Sequence, residues 1–408
     1  MDKQQLARQV QDGVIKRHRK LFLESEEGGW EKKEQVIRQE TRALLGREDT
    51  DIEQQIIDEL IGYKELGPYI RDPGVTDIFV TNLEVEVKKG GGRKEKTGIS
   101  FDSCEDVMKL LHNVVQKAGR KIDFSNPLVN VQLPGGMRLN GVIHPNTTTP
   151  AISIRKFPKK YYTKDELIAQ GFLSDEMLLF FEYAVKAGCN IVVAGVTGSG
   201  KTTMCRFFCQ YIPQGERVIT VEDTLELGLE GVVALQESRK ASIKDLIENA
   251  LRMNPDRIIL GEFRGDEVFY LLLAMDTGHY GSMTTGHSNN GKLNLYQRIL
   301  RAAKPASGMT DEELGRHIVS AIDLTVYIKK YKDGKWCISE VNELVDNNGK
   351  PNFREIYRYN RKENTHQFIN NLTGELLERL QDELGEEKLP QIKPFCPPKL
   401  VKGLVSLV

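Results

Sequence analysis

A glycine-rich segment follows a short apolar run near the middle of the chain. It reads GVTGSGKTT from Gly195 to Thr203 and fits the pattern GxxxxGK[ST]. Glycines let consecutive backbone N–H groups turn towards phosphate oxygens at the start of a helix, where the helix dipole already favours anions. A β-branched run precedes the segment and a helical pattern follows it. The segment therefore predicts a phosphate-binding loop rather than a chance glycine turn.

Each position of this loop has an expected contact. The loop backbone would surround the phosphates of ATP, the ammonium of Lys201 would neutralise the β- and γ-phosphates, and the hydroxyl of Thr202 would bind Mg²⁺. We therefore predict ATP and Mg²⁺ as ligands. The predicted nucleotide-binding residues are Gly195, Val196, Thr197, Gly198, Ser199, Gly200, Lys201, Thr202 and Thr203.

Acidic residues follow two other apolar runs. Glu222 and Asp223 end the run RVITVED, Glu226 lies three residues further on, and Glu262 follows RIIL after one glycine. Hydrolysis of a phosphoanhydride needs a group that orders water. If the first run is the strand next to the phosphate-loop strand, its acids lie at the ligand crevice of a parallel sheet. The alternative is solvated acids at strand ends, and all three glutamates remain candidates for ordering the water.

Two histidines flank the segment HYGSMTTGH. His279 and His287 enclose a short predicted strand from Gly281 to Thr285, and at its end they would hydrogen-bond the γ-phosphate. The alternative is that each is an ordinary surface or core histidine. Metal binding is not expected, because no third ligand has suitable spacing.

Composition argues against several classes of protein. Basic residues (57) nearly balance acidic ones (58), so we expect no nucleic-acid partner. The six cysteines form no CxxC pair, and Cys205 and Cys209 are expected on the buried face of the helix after the loop. No run approaches the roughly 20 apolar residues that span a membrane, and the start has no signal-peptide core. We expect a cytosolic chain that only a partner recruits to a membrane.

Hydrophobic periodicity divides the chain into four segments. Residues 1–65 have a helical pattern, and residues 66–158 alternate strands and one helix as a small α+β domain. In residues 159–345 strands alternate with helices, which predicts an α/β domain with a parallel sheet. The extension 346–408 is expected to be irregular at first, then helical from Leu372 to Leu384, with a loose end at PFCPPKL.

Seven segments of the chain together resemble one protein family. They occur in the order of the type II/IV secretion ATPase superfamily and are most similar to its Tad-pilus (CpaF-like) branch. The segments are LGPYIRDPGVTDIFVTN, AGRKIDFSNPLVNVQLPGGMRLNGVIHP, ISIRKF, AGVTGSGKTT, VEDTLEL, MNPDRIILGEFRGDE and TGHYGSMTTGHSN.

This resemblance implies an architecture and a function. We expect a RecA-like P-loop NTPase domain preceded by a smaller α+β domain and a helical N-terminal region. The family forms a homo-hexamer that binds nucleotide between the two domains. The expected protein is a cytoplasmic ATP hydrolase that powers pilus assembly or protein secretion at the inner face of a bacterial membrane, with a polytopic platform protein as partner. A conjugative DNA-transfer motor and an ATP-gated assembly scaffold with little turnover are the alternatives.

The resemblance also assigns roles to residues. It places Glu222, Asp223 and Glu226 in the family's acidic box, with Asp223 joining Thr202 at Mg²⁺. It makes Glu262 with Arg264 an atypical Walker B motif and His287 part of the histidine box. Arg138 and Arg155 of the preceding domain match arginines that contact the γ-phosphate, with Arg120 as a further candidate. Solvent-facing strand arginines are the alternative.

Two places depart from the family pattern. Phe263 stands where a small aliphatic residue usually follows the Walker B glutamate. Gly286 stands where a bulkier residue usually precedes the histidine, and Ser288 stands where alanine usually follows it. The tetracysteine zinc module of secretion and pilus-extension ATPases does not occur in the sequence, which argues against that branch.

Overall fold

The chain divides into two units, Met1–Lys159 and Lys160–Val408. The predicted helical segment 1–65 falls in the first unit and the predicted extension 346–408 in the second; the finer division into four segments stays a prediction. The computed structural model describes residues 3–23, 29–61, 63–90, 92–133, 136–157, 162–238, 240–288, 291–331, 333–347, 350–385, 389 and 393–395.

The first unit places four helices before a sheet with one further helix. Its elements are α1 Lys3–Leu23, α2 Gly29–Leu45, α3 Thr50–Ile61, α4 Gly67–Arg71, β1 Val75–Thr81, β2 Glu84–Lys89, β3 Lys94–Ser100, α5 Cys104–Lys117, β4 Leu128–Leu133, β5 Met137–Val142 and β6 Ala151–Arg155. Among the described residues the strands form an antiparallel sheet in the order β3-β2-β1-β6-β5-β4.

Apolar periodicity determines how the first unit packs. Val107, Leu110 and Leu111 recur at helical spacing and are buried, so α5 presents one apolar face to the core. Ser103 caps this helix by accepting a hydrogen bond from the Asp106 N–H at 3.2 Å. Leu6, Val10 and Val14 recur at helical spacing in α1 and are buried in the same cluster, as are Ile56 and Ile57 of α3.

The second unit contains the phosphate-loop segment. Its elements are α6 Lys164–Ala169, α7 Asp175–Lys186, β7 Ile191–Gly195, α8 Lys201–Cys209, β8 Val218–Glu222, β9 Val233–Gln236, α9 Ile243–Ala250, β10 Arg257–Leu260, α10 Glu267–Asp276, β11 Met283–His287, α11 Gly291–Ser307, α12 Asp311–Ala321, β12 Leu324–Lys330, β13 Trp336–Asn347, β14 Lys350–Asn360, β15 Thr365–Phe368 and α13 Gly374–Leu384.

One sheet organises the second unit. Its described strands follow the order β15-β14-β13-β12-β7-β11-β10-β8-β9, and all pairs from β12 to β9 are parallel. The phosphate-loop strand β7 therefore lies between β11 and β12. The expectation that the strand ending in Glu222 is its neighbour was wrong, because β11 and β10 lie between β7 and β8.

Both faces of the parallel strands are covered. β7 (IVVAG) and β10 (RIIL) are buried along their whole length, as strands enclosed by helices on two sides are. One face packs against a cluster that includes α7 and α8, and the other against a cluster that includes α10, α11 and α12. Cys205 is buried in the first cluster and Cys209 packs against it, which confirms their predicted place in the core.

The segment after residue 346 is more regular than predicted. Strand β13 continues to Asn347, and β14 and β15 add to it in antiparallel pairs, so the expected irregular stretch is in fact part of the sheet. Glu355, Ile356, Tyr357 and Tyr359 of β14 are buried, so this largely polar stretch forms a strand that sequence inspection missed. The predicted helix is present as α13.

The end of the chain is only partly described. Pro394 and Phe395 are buried in the second unit, against the expectation of a loose end, and the rest of PFCPPKL lies outside the described residues. Residues 158–161, at the predicted boundary between the two domains, also lie outside them. Within the part of the chain that the structure describes, no helix combines the length and the apolar character of a membrane span.

Candidate nucleotide-binding and catalytic site

The glycine-rich loop joins the end of β7 to the start of α8. Gly198 (φ 72°) and Gly200 (φ 88°) adopt left-handed backbone conformations, which glycine reaches without a steric penalty. Within the loop the Ser199 N–H donates to the Val196 carbonyl at 3.1 Å. The first turn of α8 leaves N–H groups without acceptors inside the helix, at the positive end of its dipole. The loop therefore has the form of an anion cradle.

The Lys201 side chain turns back over this loop. Its ammonium lies 3.4 Å from the Val196 carbonyl oxygen, 3.3 Å from His287 Nδ1 and 3.9 Å from Glu262 Oε1. Only 7% of the residue is exposed. Because β11 and β10 follow β7 in the sheet, their carboxyl ends bring His287 and Glu262 to this cation.

The hydrogen bonds of His287 define its protonation state. Nδ1 faces the Lys201 ammonium, which has no lone pair, so Nδ1 is the acceptor. Nε2 lies 2.8 Å from Glu262 Oε1 and donates its proton to that carboxylate. Burial, and then the Lys201 charge, lower the pKa of His287. The imidazole is therefore neutral and links the ammonium to the carboxylate.

Arg264 joins the tips of two strands. One guanidinium nitrogen lies 3.2 Å from Glu262 Oε2, and another lies 2.9 Å from Asp223 Oδ2. Both oxygens of Glu262 thus have partners, since His287 occupies Oε1. This arrangement holds the Glu262 carboxylate in one orientation beside the loop.

Glu222 has a different environment from Glu262. It is buried, and its Oε2 accepts hydrogen bonds from the backbone N–H groups of Glu226 (2.7 Å) and Leu227 (2.9 Å). Burial raises the pKa of this carboxyl. A Cβ at position 261 would lie 3.0 Å from Glu222 Cγ, which gives a packing reason for glycine between the apolar run and Glu262. Glu222 therefore orients the turn that carries Glu226.

Glu226 lies beside the end of the phosphate loop. Its Oε2 accepts a hydrogen bond from Thr202 Oγ1 at 3.3 Å. Burial, followed by the carboxylates of Asp223, Glu222 and Glu262, raises the pKa of Glu226 to about 7. A hydroxyl and a carboxylate at this spacing are the all-oxygen ligands that Mg²⁺ prefers.

The two departures from the family pattern compensate for each other. A Cβ at Gly286 would lie 2.6 Å from Cζ of the Phe263 ring, so the glycine provides the space that the ring fills. Phe263 is fully buried, and the Arg298 guanidinium lies 5.8 Å from its ring centroid. The large residue after the Walker B glutamate and the small one before the histidine form one packing unit.

The second predicted histidine lies elsewhere. His279 precedes β11, whereas His287 ends it, so the length of the strand, roughly 13 Å, lies between the turn that carries His279 and the tip that carries His287. Its Nδ1 lies 3.1 Å from the Ala274 carbonyl, at the end of α10. The hypothesis that both histidines contact the γ-phosphate was wrong for His279, which closes a helix terminus instead.

The predicted arginines lie in the first unit. Arg138 of β5 and Arg155 of β6 are opposite each other in the sheet. Arg155 Nε donates to Asp77 Oδ1 at 3.0 Å, and its side chain is 53% exposed. Contact of either arginine with nucleotide stays a prediction.

Comparisons with known proteins agree with the motifs. The sequence model of the family described as "Type II/IV secretion system protein" matches residues 73–371. This chain belongs to that family. The type IV secretion system protein VirB11 of Bartonella quintana is 29% identical to it, over 68% of this chain and 90% of the relative. A putative conjugal transfer protein of Mycobacterium tuberculosis is 30% identical, over 72% and 87%.

A solved structure of the family is also similar. The VirB11 ATPase of the Brucella suis type IV secretion system, crystallised with sulphate, is 28% identical and has a TM-score of 0.39, covering 70% of this chain and 96% of that one. As a member of the type II/IV secretion family, the chain has the predicted α/β architecture, in which a RecA-like P-loop domain follows a smaller α+β domain.

Sequence inspection missed two residues near the secretion-family motifs. Trp336, the first residue of β13, donates its indole N–H to the Ser199 carbonyl at 2.6 Å. Arg298 of α11 lies over Phe263, and its charge acts on His287. Neither belongs to a motif with fixed spacing. The only local signal for Trp336 is its position directly after the turn-forming sequence DGK, residues 333–335.

Proposed function

We propose that this chain is a Mg²⁺-dependent ATP hydrolase that powers pilus assembly or protein secretion at a bacterial membrane. The observation that carries the proposal is the linked set Lys201, His287 and Glu262, which joins the phosphate loop to the tips of the two strands that follow it in the sheet. Family membership supports it, as do the names of the relatives, a secretion protein and a conjugal transfer protein.

The phosphate chain would bind along the loop from Gly195 to Thr203. The left-handed glycines and the start of α8 supply converging N–H donors, and they fit the negative charge of a triphosphate. Lys201 is already buried at this place and would exchange its bond to His287 for phosphate oxygens. The residues present therefore fit the ligand.

Two oxygen-bearing side chains fit the cation. Thr202 and Glu226 are in contact, and Asp223, the predicted second ligand, lies nearby in its pair with Arg264. When bound, the cation would neutralise charge on the β- and γ-phosphates. We assign Thr202 to this role together with Glu226 or Asp223, whose carboxylates both lie at the tip of β8.

We assign the ordering of water to Glu262. Its carboxylate is held by His287 on one oxygen and Arg264 on the other, next to Lys201. It would accept a hydrogen bond, and then a proton, from water in line with the γ-phosphate. Glu222 is a weaker choice because it is only 3% exposed and its Oε2 holds a turn through two backbone hydrogen bonds, whereas the Glu262 side chain is 19% exposed. We regard Glu222 as the residue that positions Glu226.

The rest of the proposal comes from family resemblance. It includes a homo-hexamer, nucleotide between the two domains with Arg138 and Arg155 at the γ-phosphate, a polytopic platform protein as partner, and a cytoplasmic location at the inner face of the membrane. The Tad-pilus branch is the favoured relative. Mass photometry with a non-hydrolysable ATP analogue tests the ring, since a particle of six subunits is expected and a stable monomer would contradict it.

Steady-state phosphate release tests the enzymatic part. We expect Glu262→Gln to lower kcat at least about 100-fold while ATP binding stays within a few-fold, because the substitution removes the base and not the cradle. Glu230→Gln, at an exposed position of the same unit, is the matched control and should stay within about twofold. Unchanged turnover in Glu262→Gln would remove Glu262 from the mechanism.

Two other outcomes identify the alternatives. ATP-induced assembly without phosphate release above a Lys201→Ala control would favour a nucleotide-gated scaffold. Tight, salt-sensitive binding of single-stranded DNA would favour a conjugative DNA motor. The Mycobacterium tuberculosis relative is named a putative conjugal transfer protein.

A further inference from the structure

The indole of Trp336 reaches the phosphate loop from outside every recognised motif. Its N–H donates to the Ser199 carbonyl at 2.6 Å. The edge of the same ring lies over Gly200, where a Cβ would come within 2.6 Å of Cζ2. We propose that Trp336 is a positioning residue for nucleotide binding, which fixes the orientation of the peptide between Ser199 and Gly200.

Peptide geometry gives this bond its consequence. In a trans peptide the carbonyl of one residue and the N–H of the next point in opposite directions. A donor that holds the Ser199 carbonyl therefore also fixes the direction of the Gly200 N–H. Gly200 has a φ of 88°, and glycine passes readily between left- and right-handed conformations. Without the indole donor, this peptide is free to rotate, and one N–H of the cradle changes direction.

The indole itself is held firmly. Two aromatic rings pack against it. The ring centroid of Phe172 lies 4.1 Å from that of Trp336, and the ring centroid of Tyr162 lies 5.5 Å from it. Phe172 is fully buried, and its carbonyl accepts a hydrogen bond from the Ile338 N–H of β13 at 2.9 Å. The aromatic contacts and the strand together give the donor a fixed position, so it acts as a preformed constraint on the loop.

Packing alone does not account for the arrangement. A partly buried tryptophan usually finds a partner for its N–H, but any carbonyl or water would serve. Here the acceptor belongs to the buried Ser199, between the two left-handed glycines of the loop. The hydrogen bond and the ring edge act on adjacent residues of the same peptide, which is the element that must keep its direction for an anion to bind.

The test removes the N–H and keeps the ring. In a Trp30→Phe background Trp336 is the only tryptophan of the chain. Replacing it there with 3-benzothienylalanine preserves the ring shape without the donor. ATP affinity, kcat and thermal unfolding are then compared with the same background carrying ordinary tryptophan. We expect ATP to bind about tenfold more weakly, the size of effect of one neutral hydrogen bond, with kcat at saturating ATP within about twofold.

A second measurement needs no change at position 336. In the Trp30→Phe background, tryptophan fluorescence should change on addition of ATP with the same midpoint as direct binding, and Lys201→Ala should abolish the change. If Trp336 fluorescence stays unchanged while direct binding shows that ATP is bound, the indole does not respond to the nucleotide-bound phosphate loop, and the proposal is contradicted.

The inference rests on the proposed nucleotide binding, and the outcomes separate the two. If the analogue-labelled, folded protein binds ATP as tightly as its reference, or loses kcat with unchanged affinity, Trp336 is not a positioning residue and the proposed function stands. If the reference protein binds neither ATP nor ADP and matches Lys201→Ala, the proposed function fails, and this inference fails with it.

Discussion

Strand β7 has two differently built neighbourhoods. On one side lie β11, β10 and β8, all parallel to it, and their tips carry His287, Glu262 and Glu222. On the other side β12 begins a run in which β13, β14 and β15 are antiparallel to their neighbours. Parallel strands bring their carboxyl ends to a common edge, so chemical groups accumulate there. The antiparallel strands have no such common edge.

The two sides of β7 therefore contribute to the candidate site in different ways. The parallel side provides charged groups that act directly on a ligand. The antiparallel side provides support: Trp336 fixes a loop peptide, and α13 reaches back to the start of β7 and β12 through an ion pair. If this division is correct, variants on the antiparallel side change stability or affinity, and variants of the charged and imidazole side chains at the parallel tips change turnover.

The largest effect is expected at an ion pair on the antiparallel side, in which a buried carboxylate meets a partly exposed arginine. Asp323 is buried, lies 2.6 Å from an Arg379 nitrogen and accepts a hydrogen bond from the Asn190 N–H at 2.7 Å. Arg379→Met leaves this carboxylate without its cation and should cost about 3 kcal/mol of stability. Thermal unfolding should show a decrease of about 6–10 °C in the midpoint, with kcat unchanged at a temperature where the protein is folded.

Arg361→Met is the matched control for Arg379→Met. Arg361 pairs with Asp333 at 2.9 Å, but both side chains are more than half exposed. Arg361→Met should therefore cost less than about 0.5 kcal/mol. A fall in kcat of Arg379→Met comparable to that of the site variants would break the proposed division of the sheet.

The next largest effect is expected at the tip of β11. His287→Ala removes the neutral imidazole between Lys201 and Glu262 and should lower kcat about 100-fold, since both groups lose their orienting partner. His279→Ala, at the other end of the same strand, should change kcat less than about twofold. Phosphate-release assays at saturating ATP measure both. An equal fall in kcat in both variants would mean that His287 has no special role in turnover and that any change near β11 lowers activity.

A smaller effect concerns the packing of the parallel tips. Gly286→Ala places a methyl group against the buried Phe263 ring and should destabilise the protein by about 2 kcal/mol. Phe263→Leu makes room, so the double variant should be less destabilised than the sum of the single variants. The unfolding midpoints of the four proteins form the cycle. Additive losses would show that the two departures from the family pattern are independent.

The sequence predicts the residues at the parallel strand tips better than it predicts the order of the strands. The phosphate loop and the acids follow apolar runs and His287 ends a short predicted strand, so their residue types and spacing were sufficient to find them. The order of the strands was not predictable in this way, because β8 and β11 are both five-residue strands and nothing in their length decides which one pairs with β7. The neighbour of β7 was consequently misassigned.

Long-range contacts account for most of the remaining errors. The hydrogen bond from Trp336 to Ser199 joins residues 137 positions apart, and no local pattern reports it. The region after residue 346 is polar, so no local pattern predicts its strands. They are defined by their pairing with β13, which extends the sheet. The roles of Glu222 and Glu262 also differ through their hydrogen bonds and not through their type, since both are glutamates at the ends of apolar runs.

The smallest predicted effect is a pH dependence on the antiparallel side. His366 of β15 has Nε2 3.0 Å from the Ile338 carbonyl and packs against Tyr359, with Lys335 as a nearby cation. Burial lowers its pKa to about 4, against about 6.5 for a free imidazole. Between these values the unfolded chain binds a proton that the folded chain does not. Stability from this group is therefore complete above about pH 6.5 and is lost as the pH falls towards 4.

His366→Gln keeps a donor for the Ile338 carbonyl and cannot titrate. Because the imidazole is partly exposed, we expect the wild type to lose only about 1 kcal/mol more than this variant between pH 7 and pH 5. His112→Gln, at an exposed position of the first unit, should leave the wild-type pH dependence unchanged. Thermal unfolding at both pH values measures the difference. Identical pH dependence in all three proteins would place the acid sensitivity outside the antiparallel strands, and would leave their support of the site a matter of packing and hydrogen bonds alone.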